Sequence, residues 1–321
     1  MAVKVAFIGI GGIMETHLRN LSAMKDVRMV AYCDTDIERA KRAAKVYGGR
    51  SYTDFRKMCD KERPRAVFVA VPPFAHGESE IEAAQRGIHL FVEKPIALTR
   101  DTGREIARAV RSAGIITSVG YNWRYLNHVA EARSALKNAK VSLVMGYWLG
   151  GMPGVWWWRR RNKSGGQIVE QTTHIFDLAR YLVGDVETVY AEAATGAMDD
   201  VNRYNIDDSS VVTLRFKNGA VGHINSTCVL NLGYTVGVNV VARDLVVECH
   251  PGAARVITRG QTVEYKPNVD QYVAEARAFI DSVKAGKRKG IKSTYADALK
   301  TQLVMMAAVK SIKTGERVAV K

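Results

Sequence analysis

The sequence predicts an α/β fold: an N-terminal, doubly wound parallel sheet followed by an α+β domain with a large, mostly antiparallel open sheet. Three observations predict it. Short apolar runs alternate with helix-patterned segments up to residue 120. A glycine-rich turn, Gly9-Ile10-Gly11-Gly12-Ile13-Met14, stands between the first run and the first helix. Beyond residue 121 the helices yield to a succession of strands joined by hairpin signals such as Lys217-Asn218-Gly219.

Taken in order, residues 3–8 form a strand that opens on the glycines, 12–24 a helix, 27–33 a second strand and 36–47 a second helix. Residues 65–71 read as a fully buried strand stopped by Pro72 and Pro73. A helix over 74–86 leads to a strand at 88–93 that runs into Glu93-Lys94-Pro95. The segment 101–113 is helical, with Ile106, Ala109, Val110 and Ala113 on one face and Gly114 as its stop, and 115–120 is a further strand. Next come a helix at 127–138, a long strand at 141–149, a loop rich in Gly, Trp and Arg over 150–166, and a helix over 167–183. Strands follow at 186–195, 209–216, 220–229, 235–242, 244–249, 255–258 and 261–265, and helices over 269–285 and 294–314 close the chain. The expected division is 1–121 for the parallel-sheet domain and 122–321 for the second, with the closing helices able to pack back on the first.

At 321 residues, with 47% hydrophobic and 25% charged content, the chain has the makeup of a globular protein of two domains. No apolar run is long enough to span a membrane, and no signal-peptide layout precedes the first strand. Cys33, Cys59, Cys228 and Cys249 form no CxxC pair, and the histidines show no metal-ligand spacing. No metal is therefore expected, and a reducing, cytoplasmic setting is. The net charge of +15 favours anionic partners. The basic residues are nevertheless scattered over many helix faces with no base-reading helix among them, so nucleic acid is not an expected partner.

In the glycine turn, Gly9 permits the tight bend and Gly11 lets the backbone approach a pyrophosphate, while the helix start supplies amide donors and a positive dipole end. Met14 stands where a third small residue normally packs helix against strand, so it is expected either to shift the helix outward or to line the pocket. Asp34, 20 positions beyond Met14, ends the second strand. A carboxylate there accepts from ribose hydroxyls and repels a 2′-phosphate, which selects NAD over NADP. Its competing duty is to cap the next helix, which Thr35 or Asp36 can equally perform. Lys94 lies just outside the carboxyl end of its strand, where open α/β sheets keep their ligands, and Pro95 biases it towards extended backbone.

With Gly9–Met14, Val71-Pro72-Pro73, Glu93-Lys94-Pro95 and the helix bearing His174 in view, the chain resembles the Gfo/Idh/MocA family of NAD(P)-dependent sugar and cyclitol oxidoreductases. The resemblance covers nearly the whole chain. It implies an N-terminal Rossmann domain, a C-terminal open-sheet domain, and a homodimer or homotetramer built on that sheet. It also implies that Val71, Pro72, Pro73 and His76 border the cofactor cleft and that Glu93 and Lys94 lie at the nicotinamide. In Gly120-Tyr-Asn-Trp-Arg-Tyr125, which crosses into the second domain, Asn122 is implied near the nicotinamide and Arg124 towards substrate. The family's helix motif, Gly-Gly-x-x-x-Asp-x-Gly-x-His-x-x-Asp, reads here Gly165-Gly-Gln-Ile-Val-Glu170-Gln-Thr-Thr-His174-Ile-Phe-Asp177. The histidine matches; Glu170 replaces the aspartate and Thr172 a glycine.

Oxidising a secondary alcohol requires loss of a hydroxyl proton as hydride leaves carbon. His174 titrates in the right range to serve as base, and Lys94 can donate to the same oxygen. Glu170, one helical turn before His174, is expected on the same helix face, orienting the histidine, holding a substrate hydroxyl, or both. Asp177 pairs with Lys94 or substrate, or is an ordinary helix-face carboxylate. The run Trp156-Trp-Trp-Arg-Arg-Arg161 offers two readings. Trp158 and Arg160 stack on and clamp a sugar-like, anionic substrate, or the tryptophans cap the domain interface and the arginines are solvated. Two rival functions stand beside the dehydrogenase: a non-catalytic dinucleotide-binding regulator, and an enzyme that keeps NAD bound and uses transient oxidation for elimination, epimerisation or glycoside cleavage.

Overall fold

The computed structural model describes residues 2–321, which form two compact units. The first is drawn from the chain up to Asn122 together with Asp270–Leu299, and the second from Trp123–Val269 with Lys300–Lys321.

In the first unit, β1 (Val3–Ile8), α1 (Gly12–Ser22), β2 (Val27–Cys33), α2 (Ile37–Tyr47), β3 (Arg50–Tyr52), α3 (Phe55–Glu62), β4 (Ala66–Val69), α4 (Glu78–Gln85), β5 (His89–Val92), α5 (Arg100–Ala113) and β6 (Thr117–Val119) follow one another. The six strands pair in parallel in the order β3-β2-β1-β4-β5-β6. The order reverses between β1 and β4, so the crevice of such a sheet opens where these strands end, at Gly9 and Val71. Both β1 and β4 are apolar at nearly every position because helices cover both faces. Phe7, Phe68 and Phe91 build one half of the core, with Phe279 edge-on to Phe68 and Phe91.

The short β3 and α3, between residues 50 and 62, are elements that the apolar pattern does not announce. The strand is three residues long and partly exposed, and it is held by its ladder to Ala31–Cys33 rather than by a run of its own. The helix expected over 74–86 begins only at Glu78, because a 3-10 turn over Pro73–Ala75 and Gly77, at φ 139°, come first.

The second unit contains α6 (Asn127–Ala135), β7 (Val141–Leu149), the one-turn helices α7 (Arg161–Ser164) and α8 (Gln167–Glu170), α9 (Thr173–Val183), and the strands β8 (Val186–Ala194), β9 (Ser209–Phe216), β10 (Val221–Thr227), β11 (Thr235–Ala242), β12 (Leu245–His250), β13 (Ala253–Thr258) and β14 (Gln261–Tyr265). Then α10 (Gln271–Ala285) returns to the first unit. It is followed by α11 (Tyr295–Thr314), which runs from the first unit into the second, and β15 (Val318–Ala319). The nine-stranded sheet has the order β14-β13-β12-β11-β7-β10-β9-β8-β15 and is antiparallel except between β7 and β10. The central strands β9 and β10 alternate strictly, so one face there is buried and the other is not. Val144, Val212, Leu214, Ile224 and Val240 on the buried face pack with Ile175, Phe176, Leu178 and Ala179 of α9. Among the described residues, no helix is long and apolar enough to cross a membrane.

Candidate active site

The glycine turn sits at the carboxyl end of β1. Gly9 has φ 81°, and a Cβ there would lie 2.4 Å from the carbonyl oxygen of Ala70. Only glycine therefore allows β1 and β4 to close up at this end. Beside it the structure leaves room: a Cβ on Gly11 or Gly12 would meet nothing within 4 Å. Gly11 caps α1 without any side-chain hydrogen bond, and the first intrahelical bond runs from Glu15 N to Gly11 O. The amides of the first helical turn thus have no intrahelical acceptor, which suits the pyrophosphate of a dinucleotide. Met14 is fully buried in the core with Val5, Phe7 and Leu18. It fills the helix–strand contact and does not line a pocket.

Asp34, 8% exposed, accepts from Ile10 N at 2.7 Å through Oδ2 and from Asp36 N at 2.8 Å through Oδ1. It ties the glycine turn to the end of β2. The α2 cap belongs to Asp36, which accepts from Glu38 N, so Asp34 is released from that duty. His76 is buried, with Nδ1 2.5 Å from Glu80 Oε1. Burial alone would raise Glu80, but the adjoining His76 and the donors Gly77 N and Ser79 Oγ hold its carboxyl below the usual value. The imidazole of His76 is in this way committed to the start of α4.

Lys94 follows β5, half-buried, and is joined to Pro95 by a cis peptide bond. Glu93 is buried; its carboxylate lies 2.7 Å from His17 Nε2 and accepts from Lys94 N at 3.2 Å. It rests directly on Gly120, where a Cβ would stand 2.6 Å from Glu93 Oε2. Asn122, at the end of this unit, is buried.

In the second unit the helix expected over 167–183 is broken. Thr172 N donates to Gln167 O, five residues back, and α9 starts afresh at Thr173. The extra residue in that turn removes the reason for Glu170 and His174 to share a face. Each meets an aromatic partner. Trp158 Nε1 donates to Glu170 Oε2 at 2.6 Å. His174 lies nearly parallel to Trp123 at 5.0 Å and to Trp148 at 5.9 Å, and the two tryptophans stack on one another. Sequence reasoning missed Trp123 and Trp148 in this role. Trp148 is legible afterwards, since it shares strand parity with the buried Val144 and Gly146.

Two substrate expectations are corrected. Arg124 does not present its guanidinium to a ligand: it is 3% exposed and donates to both oxygens of Asp177, at 2.7 and 2.6 Å, with Tyr181 beneath it. Trp158 is wholly buried with Ile206 and Cys228, so neither ring face is available to a sugar. Arg161 clamps Asp207 at 3.1 and 2.6 Å, and Arg160 lies over Trp156, which is 52% exposed. Trp158 is thus spent inside the second unit, while Trp156 is exposed with Arg160 over its ring.

Strand order, glycine turn and strand-end carboxylate together define a dinucleotide-binding α/β unit. Comparison with known proteins gives the same class. Residues 3–121 match the model of an oxidoreductase family with an NAD-binding Rossmann fold, and residues 138–248 match the C-terminal domain model of the same family. The chain belongs to the Gfo/Idh/MocA family of oxidoreductases. Among its relatives, the myo-inositol 2-dehydrogenase of Thermotoga maritima is 27% identical over 97% of this chain and 96% of its own. The levoglucosan dehydrogenase of Pseudarthrobacter phenanthrenivorans is 27% identical over 70% of this chain and 67% of its own. In fold, the chain matches a levoglucosan dehydrogenase solved with NADH and levoglucosan, at a TM-score of 0.91, 22% identity and full coverage of both chains.

Proposed function

We propose that this oxidoreductase transfers hydride between NAD and a secondary alcohol of a sugar, cyclitol or sugar derivative, with Lys94 and His174 handling the proton. The observation that carries the reading is the position of Lys94 at the carboxyl end of β5, on the edge of the sheet where the glycine turn and Asp34 also stand. Bound NAD supplies the hydride acceptor. Lys94 donates to the substrate oxygen and stabilises negative charge as it develops, and His174 takes the hydroxyl proton. The faces of Trp123 and Trp148 hold the imidazole plane against rotation. Glu170, held by Trp158, serves a substrate hydroxyl. A regulator that only binds dinucleotide has no use for this acid/base pair. The names of the inositol and levoglucosan dehydrogenases favour a neutral polyhydroxylated substrate.

A panel of polyols, cyclitols and sugars with NAD, read as NADH absorbance, tests the reading. At least one member is expected to turn over, with NAD preferred to NADP by roughly tenfold or more because Asp34 opposes a 2′-phosphate. Silence across the panel would favour the regulator or permanently bound NAD, and a preference for NADP would overturn the role of Asp34.

Self-association belongs on the uncovered face of the nine-stranded sheet, where Tyr190, Val211 and Val221 are exposed together on neighbouring strands. Light scattering is expected to return a dimer or tetramer, and a monomer at micromolar concentration would exclude it. The four cysteines are all buried thiols, in keeping with a reducing compartment.

A further inference from the structure

Beneath the strand end that carries Lys94 lies a buried polar cluster that the hydride-transfer reading does not use. It consists of His17 from α1, Glu93 from the end of β5 and Glu275 from α10, all in the first unit, with one candidate ligand atom from each lying within 4.8 Å of the others. His17 and Glu275 are 0% exposed, and both oxygens of Glu275 and Nδ1 of His17 lack any hydrogen-bonding partner in the protein. Phe68, Phe91 and Tyr272 surround the imidazole. The groups facing Glu275 are Glu93, His17, Tyr272 and, at the start of its own helix, Asp270. Two carboxyls thus share one imidazole in an apolar shell.

Such a site needs a compensating positive charge or a proton. The Nε2–Oε1 distance of 2.7 Å between His17 and Glu93 is that of a hydrogen bond. It is shorter than the separation of about 3.4 Å between two ligands held tetrahedrally at about 2.1 Å from one zinc ion. A proton meets the need in less space. Two like carboxyls in one buried pocket cannot both ionise at ordinary cost, and Glu275 has no donor to stabilise its charge. Burial first, and then the neighbouring Glu93 and Asp270, raise the Glu275 carboxyl well above its usual range.

We propose that Glu275 is a positioning residue that stays protonated at neutral pH and, by remaining neutral, keeps the Glu93 carboxylate seated on Gly120 and on the amide of Lys94. Ionisation of Glu275 sets two carboxylates against each other, and the repulsion reaches Lys94 through Glu93, whose carboxylate accepts from the Lys94 amide and rests on Gly120. The consequence for turnover rests on the proposed role of Lys94; the protonation itself does not.

The test is Glu275→Gln, which copies the neutral acid but cannot ionise. Because folding raises the Glu275 value, its contribution to stability is complete below the unfolded value near pH 4.3 and is lost as pH rises towards the folded one. The gap in Tm between variant and parent is therefore expected to widen above about pH 4.3 by roughly 2 °C per pH unit, the variant being the more stable. Glu275→Met, apolar and of similar size, is expected to show the same trend if the amide packs poorly. A gap that does not change with pH would overturn the protonation. A parent more stable than both variants at pH 9, and destabilised by EDTA, would overturn it in favour of a bound cation. On any substrate found in the panel, kcat/KM of Glu275→Gln at pH 7 is expected within about threefold of the parent, with its alkaline limb moved up by about one pH unit or more. A superimposable pH profile alongside a widening Tm gap would overturn the positioning role while leaving the hydride-transfer reading intact.

Discussion

Lys94→Ala is expected to lower kcat/KM by about 10²–10³-fold while leaving NAD affinity within a few-fold of the parent. The magnitude is that of removing one preorganised donor from a developing oxyanion, about 2.7–4 kcal/mol of transition-state stabilisation. Binding is expected to survive because the dinucleotide contacts proposed above rest on other groups. Asp34 and the glycine turn are locked together by the Ile10 N bond, and the first-turn amides of α1 are independent of the β5 end. Steady-state kinetics with a panel substrate and a fluorescence titration of NADH separate the two effects. His174→Ala is expected to cost a similar factor, and the double variant little more than either alone, because two groups serving one proton act as a unit. Turnover at the parent rate in Lys94→Ala would remove the lysine from the chemistry.

The second large effect falls on stability. Arg124→Ala is expected to cost about 3–5 kcal/mol, since it leaves the Asp177 carboxylate buried without its countercharge. Asp177 is 2% exposed, and its remaining hydrogen-bond donor among the described contacts is the hydroxyl of Thr301 at 2.9 Å. At about 1.5 °C per kcal/mol for a chain of this size, Tm should fall by about 5–7 °C. Arg124→Met combined with Asp177→Leu is expected to recover much of the loss, because a buried pair replaced on both sides by apolar groups of similar volume is often close to neutral. An unchanged Tm with a raised KM would return Arg124 to the substrate.

The strand-end positions of the candidate site residues were legible where they are local in sequence. Gly9–Met14, Asp34 and Glu93-Lys94-Pro95 are each a short segment at a strand end, and a strand end can be located from an apolar run and the residues that stop it. The fate of Arg124 was not legible, because its partner lies 53 positions away and an arginine beside a cleft motif reads the same whether it meets substrate or Asp177. The same holds for Trp158: nothing in a run of three tryptophans says which ring faces inward, and Ile206 and Cys228 decide it from distant strands. The unbroken helix expected through Glu170 and His174 failed for a different reason. The helical period placed Glu170 over His174, but a bond spanning five residues at Thr172 breaks the period, and periodicity cannot register one inserted residue.

By itself the sequence determined the fold class and the family and singled out the glycine turn and the lysine as candidates, because each rests on period, spacing or a backbone requirement carried by neighbouring residues. The tertiary structure alone decided which charged and aromatic groups are consumed internally. It paired Arg124 with Asp177, Trp158 with Glu170, His76 with Glu80, and it brought His17, Glu93 and Glu275 into one apolar shell. The physical reason is common to all of them. A charge or an indole N–H is satisfied by whichever group the fold delivers within about 3 Å, and for long-range partners that distance is a property of packing, not of the chain's local order.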